Sequence, residues 1–340
     1  MRRQSSVDAS LASPPVSEPP AVSVVIPARN AEATIGRALR GLAEQDLEGA
    51  YEVIVVDNGS TDGTAAAVRQ SGVEVRLIRG PGTGPGDARN WGVREAKAPV
   101  IAFTDADCVP ARSWLRTGLE AIDTSDLVQG TVLPDPAAPM RPFDRTVRVT
   151  SETGLYETAN LFIKRDRFNR LGGFDDWLTA PHHEGGPKPA DQRPFGEDVL
   201  LGWRARRLGA RVSFSRDAVV VHAVFPRGPL GYIRERLRLR YFAAIAKRIP
   251  ETRSSVFFAR YFLKRRSAAF DVAAVAVALA VATVSLIPLA GLIPYGVSVG
   301  SHAVGTRRWA PIVLPVEVVG DAVGCVSLIW GSIRYRSVVL

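Results

Sequence analysis

From Val22 onward the chain alternates short, uninterrupted apolar runs with longer amphipathic segments. VSVVI, EVIVV, EVRLI and VIAFT read as strands, and their unbroken hydrophobicity predicts strands covered on both faces. Between the first two, Ile35, Ala38, Leu39 and Leu42 recur at i, i+3, i+4 and i+7, which lays one apolar stripe along a helix. This alternation predicts an α/β domain over residues 21–230, built on a mostly parallel central sheet. Such sheets bind ligands in the crevice beyond the carboxyl ends of their strands.

The polar residues gather at those ends. Pro27 to Asn30 follow the first run, Asp57-Asn58-Gly59-Ser60 the second, a glycine-rich turn the third and Asp105-Ala106-Asp107 the fourth. Four strand ends therefore converge on one crevice. Residues 127–224 continue less regularly and include a Gly/Pro/His-rich loop from Thr179 to Phe195. The first twenty residues, rich in proline and serine, lack the apolar region of a secretory signal and read as a disordered tail.

The pattern changes after Phe270. Val272 to Thr306 contains no Asp, Glu, Lys or Arg, and about 20 apolar residues suffice for a helix to span a bilayer. A membrane hairpin is expected, with spans near 272–294 and 310–333 and a short tail at 334–340. Glu317 and Asp321 lie four apart in the second span, so they share a helix face expected to meet the first span or a partner and not lipid.

Composition sharpens this picture at two points. The two cysteines, Cys108 and Cys325, form no C-x-x-C pair and suit a reducing compartment. The net charge of +9 is local: residues 231–270 hold eleven Lys/Arg against Glu235 and Glu251, and the rest of the chain balances. A basic stretch interleaved with Tyr241, Phe257, Phe258, Tyr261 and Phe262 beside a span reads as an amphipathic juxtamembrane segment on an anionic membrane surface, not as a nucleic-acid groove. Its charges place the domain in the cytoplasm by the positive-inside rule, at the inner membrane.

Several residues carry candidate chemistry, each with a plainer alternative. Asp105-x-Asp107 at a strand end can hold a hard divalent cation against phosphates, or form a solvated turn. Asp57 can accept a bond from a base or ribose, or organise its own turn. Arg89 and Asn90 follow the glycine-rich turn and can reach phosphate. Gly80 to Gly86 contains no G-x-G-x-x-G register, which disfavours a nicotinamide-dependent oxidoreductase. Glu197-Asp198 opens a helix that closes at Gly209, as caps or as a general base. His222 ends the run AVVV as a buried histidine or a third metal ligand. His182-His183-Glu184 reads as loop polarity.

Taken in order, VSVVIPARNAEATI, VVDNGSTDGT, ARNWG, FTDADC, ETANLFIKRDRFNRLGGFDD, GEDVLLGWRARRLG and VVVHAVF resemble the family 2 glycosyltransferases over Val22 to about Val224. The resemblance implies a GT-A nucleotide-sugar-binding fold followed by transmembrane helices. It also implies inverting transfer of a sugar from a nucleoside diphosphate donor, assisted by Mg²⁺ or Mn²⁺. It places Pro27, Asn30 and Asp57 at the nucleoside, with Arg29, Arg89, Asn90, Asp105 and Gly173 completing the donor set. Asp105 and Asp107 stand at the diphosphate and metal, with His222 at a metal-ligand position. Gly172, Phe174, Asp175 and Trp203 face the acceptor, and Asp198 is the base, with Glu197 as second candidate. Arg29 and Ala31 depart from the family, which commonly has an aromatic and an acidic residue there. The Q-x-x-R-W motif of processive synthases is absent, and Arg236-Leu-Arg-Leu-Arg-Tyr241 lies in its place. A single transfer to a lipid-linked or membrane-proximal acceptor is therefore favoured over a processive polysaccharide synthase. A non-catalytic membrane-surface module leaves Asp107 and Asp198 unexplained. A sugar-1-phosphate nucleotidyltransferase begins with G-x-G-T-R, where this chain has Pro27-Ala-Arg-Asn30.

Overall fold

A computed structural model describes residues 19–80, 82–175, 177–178 and 195–340. Most of the expected tail and most of the Thr179 to Phe195 loop, His182-His183-Glu184 included, lie outside the described residues. One eight-stranded sheet organises the domain in the order β3-β2-β1-β4-β7-β6-β8-β5. Its strands are β1 (Val22–Ala28), β2 (Tyr51–Asp57), β3 (Arg76–Arg79), β4 (Val100–Thr104), β5 (Cys108–Pro110), β6 (Leu127–Pro134), β7 (Asn160–Lys164) and β8 (Val212–His222). The first four expected strands form and pair in parallel. β7 and β5 run against their neighbours, while β6 and β8 are parallel. β3 differs from the expectation of cover on both faces: it is one of the two edge strands and stays half-exposed.

Helices α1 (Ile35–Ala43), α2 (Thr64–Gln70), α3 (Pro85–Glu95), α4 (Trp114–Asp123), α5 (Arg165–Arg170) and α6 (Glu197–Arg207) cover the sheet. Alternation along β1 feeds two cores. Val22, Val24 and Ile26 pack on one face with α1, Trp114 and Phe162. Val25 joins Ile54, Phe103, Tyr156 and Phe168 on the other. The predicted α1 stripe of Ile35, Ala38, Leu39 and Leu42 is fully buried. Buried Asn160 ties the layers together, accepting from Trp114 Nε1 and donating to the Thr131 and Ala218 carbonyls, each at 2.8 Å.

Beyond β8 the basic stretch folds as α7 (Pro229–Glu235), a 3-10 segment (Arg236–Arg240), α8 (Tyr241–Arg248) and α9 (Thr252–Ser255). Then follow α10 (Arg265–Thr283), α11 (Ile293–Gly305) and α12 (Ala310–Tyr335). Among the described residues three helices are long and apolar enough to cross a membrane, Arg265–Thr283, Ile287–Gly305 and Arg307–Tyr335, where the sequence suggests two. The charge-free stretch is interrupted because Val284 takes a left-handed conformation (φ 48°) and a 3-10 turn containing Pro288 follows. These helices mark the region as membrane-associated.

Glu317 and Asp321 turn inward. Arg266 reaches Glu317 at 3.1 Å and Asp321 at 2.6 Å, Tyr295 donates to Asp321 at 2.9 Å, and His302 lies 2.8 Å from Glu317. α12 lies along the juxtamembrane segment: Val313 packs with Phe143 and Tyr232, and Leu328 with Ala243, Ala246 and Phe257. At Gly331 a Cβ would stand 2.3 Å from the Arg240 carbonyl oxygen, so only glycine admits the approach. The basic side chains are not simply splayed outward. Arg236 stacks on Tyr232, Arg238 on Phe195 and Arg248 on Trp177.

Candidate active site

The loops after β1 and β2 are sewn together. Asn30, at φ 52°, donates its amide to Ser60 Oγ (3.0 Å) and accepts from the Thr61 amide at Oδ1 (2.9 Å). Ala31 N–H reaches Thr64 Oγ1 at 2.8 Å, and Glu32 accepts from Gly63 N–H at 3.0 Å. Asn58 holds the glycine-rich turn, accepting from Gly82 N–H and donating to the Gly84 carbonyl. The result is a cavity of about 590 Å³ at the carboxyl ends of the strands, lined by Pro27, Arg29, Asn30, Arg89, Asp105, Asp107 and Glu197 among others. That volume suits a nucleotide-sized ligand.

Other sequence candidates lie just behind this wall. Asp57 spends Oδ1 on the Ser60 amide at 3.0 Å, which organises its own turn. Asn90 exchanges two 2.9 Å bonds with the Phe174 backbone and fixes the Gly172-Gly173 turn, both of whose residues have positive φ. Asp175 pairs with Arg204 at 2.7 Å, and Trp203 Nε1 donates to the Gly154 carbonyl. Phe174 lies beneath the Arg89 guanidinium. None of these seven lines the cavity. Arg145, Phe195, Phe225 and Arg238 do line it, and sequence reasoning passed over them. Arg145 and Phe225 meet through an isolated antiparallel bridge and a guanidinium-over-ring contact, and Arg238 sits in a run whose charges suggested membrane alone.

Asp107 Oδ2 stands 3.7 Å from His222 Nε2, because β5 pairs with the end of β8 and brings Cys108 opposite His222. His222 Nδ1 is 2.6 Å from the Ala223 carbonyl oxygen, which only accepts. Nδ1 therefore carries a proton, which leaves Nε2 as the ring nitrogen facing Asp107. One hard cation with ligand bonds of about 2.0–2.1 Å can bridge such a pair. Cys108 Sγ belongs to the same cluster, within 4.8 Å. Burial, then Asp105 and Asp107, push its thiol well up, so it stays a neutral, soft group of little use to Mg²⁺ or Mn²⁺. Burial, reinforced by Asp105 and opposed by His222, also raises the Asp107 carboxyl. A crowded anion of this kind is relieved by a cation, and the residues fit one.

Across the cavity α6 begins abruptly. Gly196 adopts a left-handed conformation (φ 115°) and sets Glu197 and Asp198 on the first turn. Glu197 accepts from Gly196 N–H at 3.1 Å and faces Arg89 Nη1 at 3.6 Å. Asp198 accepts from Val199 N–H at Oδ1, and its other oxygen has no hydrogen bond among the described residues. Burial, then the Glu197 and Glu157 charges, hold its carboxyl well above the usual range. Arg89 is buried and bonded through Nη2 to Asp105 Oδ1, and its Nε and Nη1 make no hydrogen bond among the described residues.

Residues 23–173 match the family described as Glycosyl transferase family 2. Glycosyltransferase AglE of Haloferax volcanii is 31% identical over 227 residues, covering 62% of this chain and 69% of that protein. The chain belongs to glycosyl transferase family 2. As a glycosyltransferase it is also 28% identical over 229 residues to the pre-mycofactocin glycosyltransferase of Mycobacterium tuberculosis, where the match covers 59% of this chain and 42% of the relative. Its length spans about two thirds of the first of these relatives and less than half of the second. Among solved structures, the mannosyltransferase PcManGT of Pyrobaculum calidifontis, in complex with GDP-Man and Mn²⁺, superposes with a TM-score of 0.60 and 24% identity. The superposition covers 92% of this glycosyltransferase and 90% of that chain, and it shows a shared GT-A fold.

Proposed function

We propose that this glycosyltransferase moves a single sugar from a nucleoside diphosphate donor to a hydroxyl of a lipid-linked or membrane-proximal acceptor, inverting the anomeric carbon with help from Mg²⁺ or Mn²⁺. One observation carries the reading: Asp107 and Glu197 line the same cavity from opposite elements with Arg89 between them, and His222 and Asp198 stand behind them, outside the cavity lining. The mannosyltransferase neighbour, solved with GDP-Man and Mn²⁺, supports a nucleotide donor and a divalent ion.

In this reading Pro27, Arg29 and Asn30 hold the nucleoside end, and Asp105, Asp107 and His222 hold the cation. The bound cation supplies positive charge beside the diphosphate oxygens. Asp198 takes the proton of the acceptor hydroxyl as that oxygen bonds to the anomeric carbon. The carbon–oxygen bond to the diphosphate breaks on the opposite face, and the leaving group keeps the electron pair. Arg89 fixes Asp105 and Glu197 throughout. The apolar helices and the basic stretch before them support a catalytic domain on the cytoplasmic face of the inner membrane.

The test is a panel of UDP- and GDP-sugars offered to the full chain in lipid bilayers. Release of nucleoside diphosphate, stopped by excess chelator and by Asp107→Ala, is expected. Turnover that is indifferent to both would overturn metal dependence, and release of pyrophosphate would overturn glycosyl transfer.

A further inference from the structure

We infer that Ile245 of α8 is a positioning residue for the Glu197-Asp198 turn, and that through α8 the seating of α12 sets the aim of that turn. The inference rests on the reading of Asp198 as base.

Ile245 is fully buried against Val199 and Leu200 of α6, together with Ile249. Its contact reaches the residue that launches the helix: a Cβ built on Gly196 would lie 3.1 Å from Ile245 Cδ1 and 3.2 Å from Cγ1. Gly196 is the left-handed residue immediately before the two carboxylates, and its carbonyl accepts from Trp177 Nε1 at 3.3 Å. A small shift of this backbone swings both acidic side chains.

The same helix is gripped from behind. Ile245 of α8 and Ile249 just past its end pack against α6, while Ala243 and Ala246 present another face of α8 to Leu328, Phe257 and Val339. The segment leading into α8 is stapled to α12, since Ser327 Oγ donates to the Leu237 carbonyl at 2.9 Å and accepts from Arg240 N–H at 3.2 Å. Arg207 of α6 forks onto Glu251, both bonds at 2.8 Å, and closes the clamp on the far side. Close-packed interiors transmit displacement instead of absorbing it. A helix apolar enough to sit in a membrane is therefore two layers of contact from the proposed base, and neither Ile245 nor Leu328 touches the cavity.

The experiment measures steady-state hydrolysis of whichever UDP- or GDP-sugar the wild-type chain turns over fastest, using the full chain in nanodiscs. Ile245→Ala is expected to lower kcat about tenfold with donor KM changed by less than about twofold, since misplacement affects the chemical step and not donor contacts. Ile245→Leu, which restores the reach to Gly196, should recover most of the loss. Leu328→Ala on α12 should reproduce the kcat loss in smaller measure. If Ile245→Ala does not fold, Ile245→Val removes only the Cδ1 contact and should show the same split. Wild-type kcat in Ile245→Ala, or a fall in kcat matched by an equal rise in donor KM, overturns the positioning role. Wild-type kcat in Leu328→Ala overturns the coupling to α12. Absence of turnover in the wild-type chain would instead sink the functional reading itself, and Asp198→Asn with wild-type kcat would sink the base assignment.

Discussion

Arg89 donates from Nη2 to Asp105 Oδ1 at 2.7 Å while its Nη1 stands 3.6 Å from Glu197 Oε1, so one buried guanidinium joins the two acidic ends of the cavity. Burial opposes its charge, but Asp105 and Glu197 outweigh that and keep it protonated. Removing one partner of a buried ion pair costs about 3 to 5 kcal/mol, because the others are left uncompensated. Arg89→Ala should sit at the low end of that range, since Asp105 is partly exposed. Arg89→Lys should rescue stability only in part, because a point charge cannot fork between two carboxylates. Thermal unfolding of the two variants in one detergent checks the order.

The Asp107–His222 pair makes a prediction that needs no turnover. Electron paramagnetic resonance of Mn²⁺ titrated into the full chain should show a bound ion that Asp107→Ala removes. His222→Ala should weaken it at least about tenfold, as loss of a ligand exceeds loss of an outer-shell partner. Undiminished Mn²⁺ binding in both variants would place the cation elsewhere.

Asp198 couples activity to stability with opposite signs. Its carboxyl is raised well above the usual range by burial, Glu197 and Glu157, so the native state binds that proton more tightly than the unfolded chain does. Stability from this group is then full below the ordinary carboxylate value and is lost as pH rises through the raised one. A base must be ionised, so the acid limb of kcat should lie above the ordinary carboxylate range. Asp198→Asn should lose about 10²-fold or more in turnover, yet melt no lower than wild type at neutral pH. The comparison is made by paired melts near pH 4 and pH 7, and a variant that melts lower at pH 7 contradicts it. Should Glu197→Gln lose turnover while Asp198→Asn does not, the two roles exchange.

Asn90 separates a scaffold from a ligand. Its side-chain amide both donates to and accepts from the Phe174 backbone, and Phe174 is buried. Asn90→Ala strands both groups and should cost about 2 to 3 kcal/mol. Asn90→Asp, which keeps the acceptor and loses the donor, should fall between. A raised donor KM with an unchanged melting temperature would instead make Asn90 a donor contact.

How much of this was legible in the chain differs residue by residue. The α1 stripe and the first four strands follow from local periodicity, and all four stripe residues are buried where the spacing put them. The convergence of Pro27, Asn30, Asp105 and Asp107 follows from parallel topology, because strand ends must share one edge. Asp57 and Asn90 were legible as to place and not as to use: their partners, the Ser60 amide and the Phe174 backbone, are set by loop conformation. The Arg145–Phe225 wall was invisible, since eighty positions of chain intervene before the bridge closes. The edge position of β3 depends on which strand ends the sheet, and no run of apolar letters records that. Val284 broke the apolar stretch although a valine is a poor advertisement for a left-handed turn.

Leu340 donates its amide to the Tyr261 carbonyl and accepts from Leu263 N–H, each at 2.7 Å. A residue shortly past the last of the apolar helices is thus fastened to residues just before the first. Parity then constrains any route through a bilayer: a path that leaves one side and is tied back to its own starting point crosses an even number of times. Three apolar helices cannot all be full crossings under that bond. An even number of crossings keeps both tied residues on one side, and on that side α12 packs along the juxtamembrane segment through Val313 and Leu328.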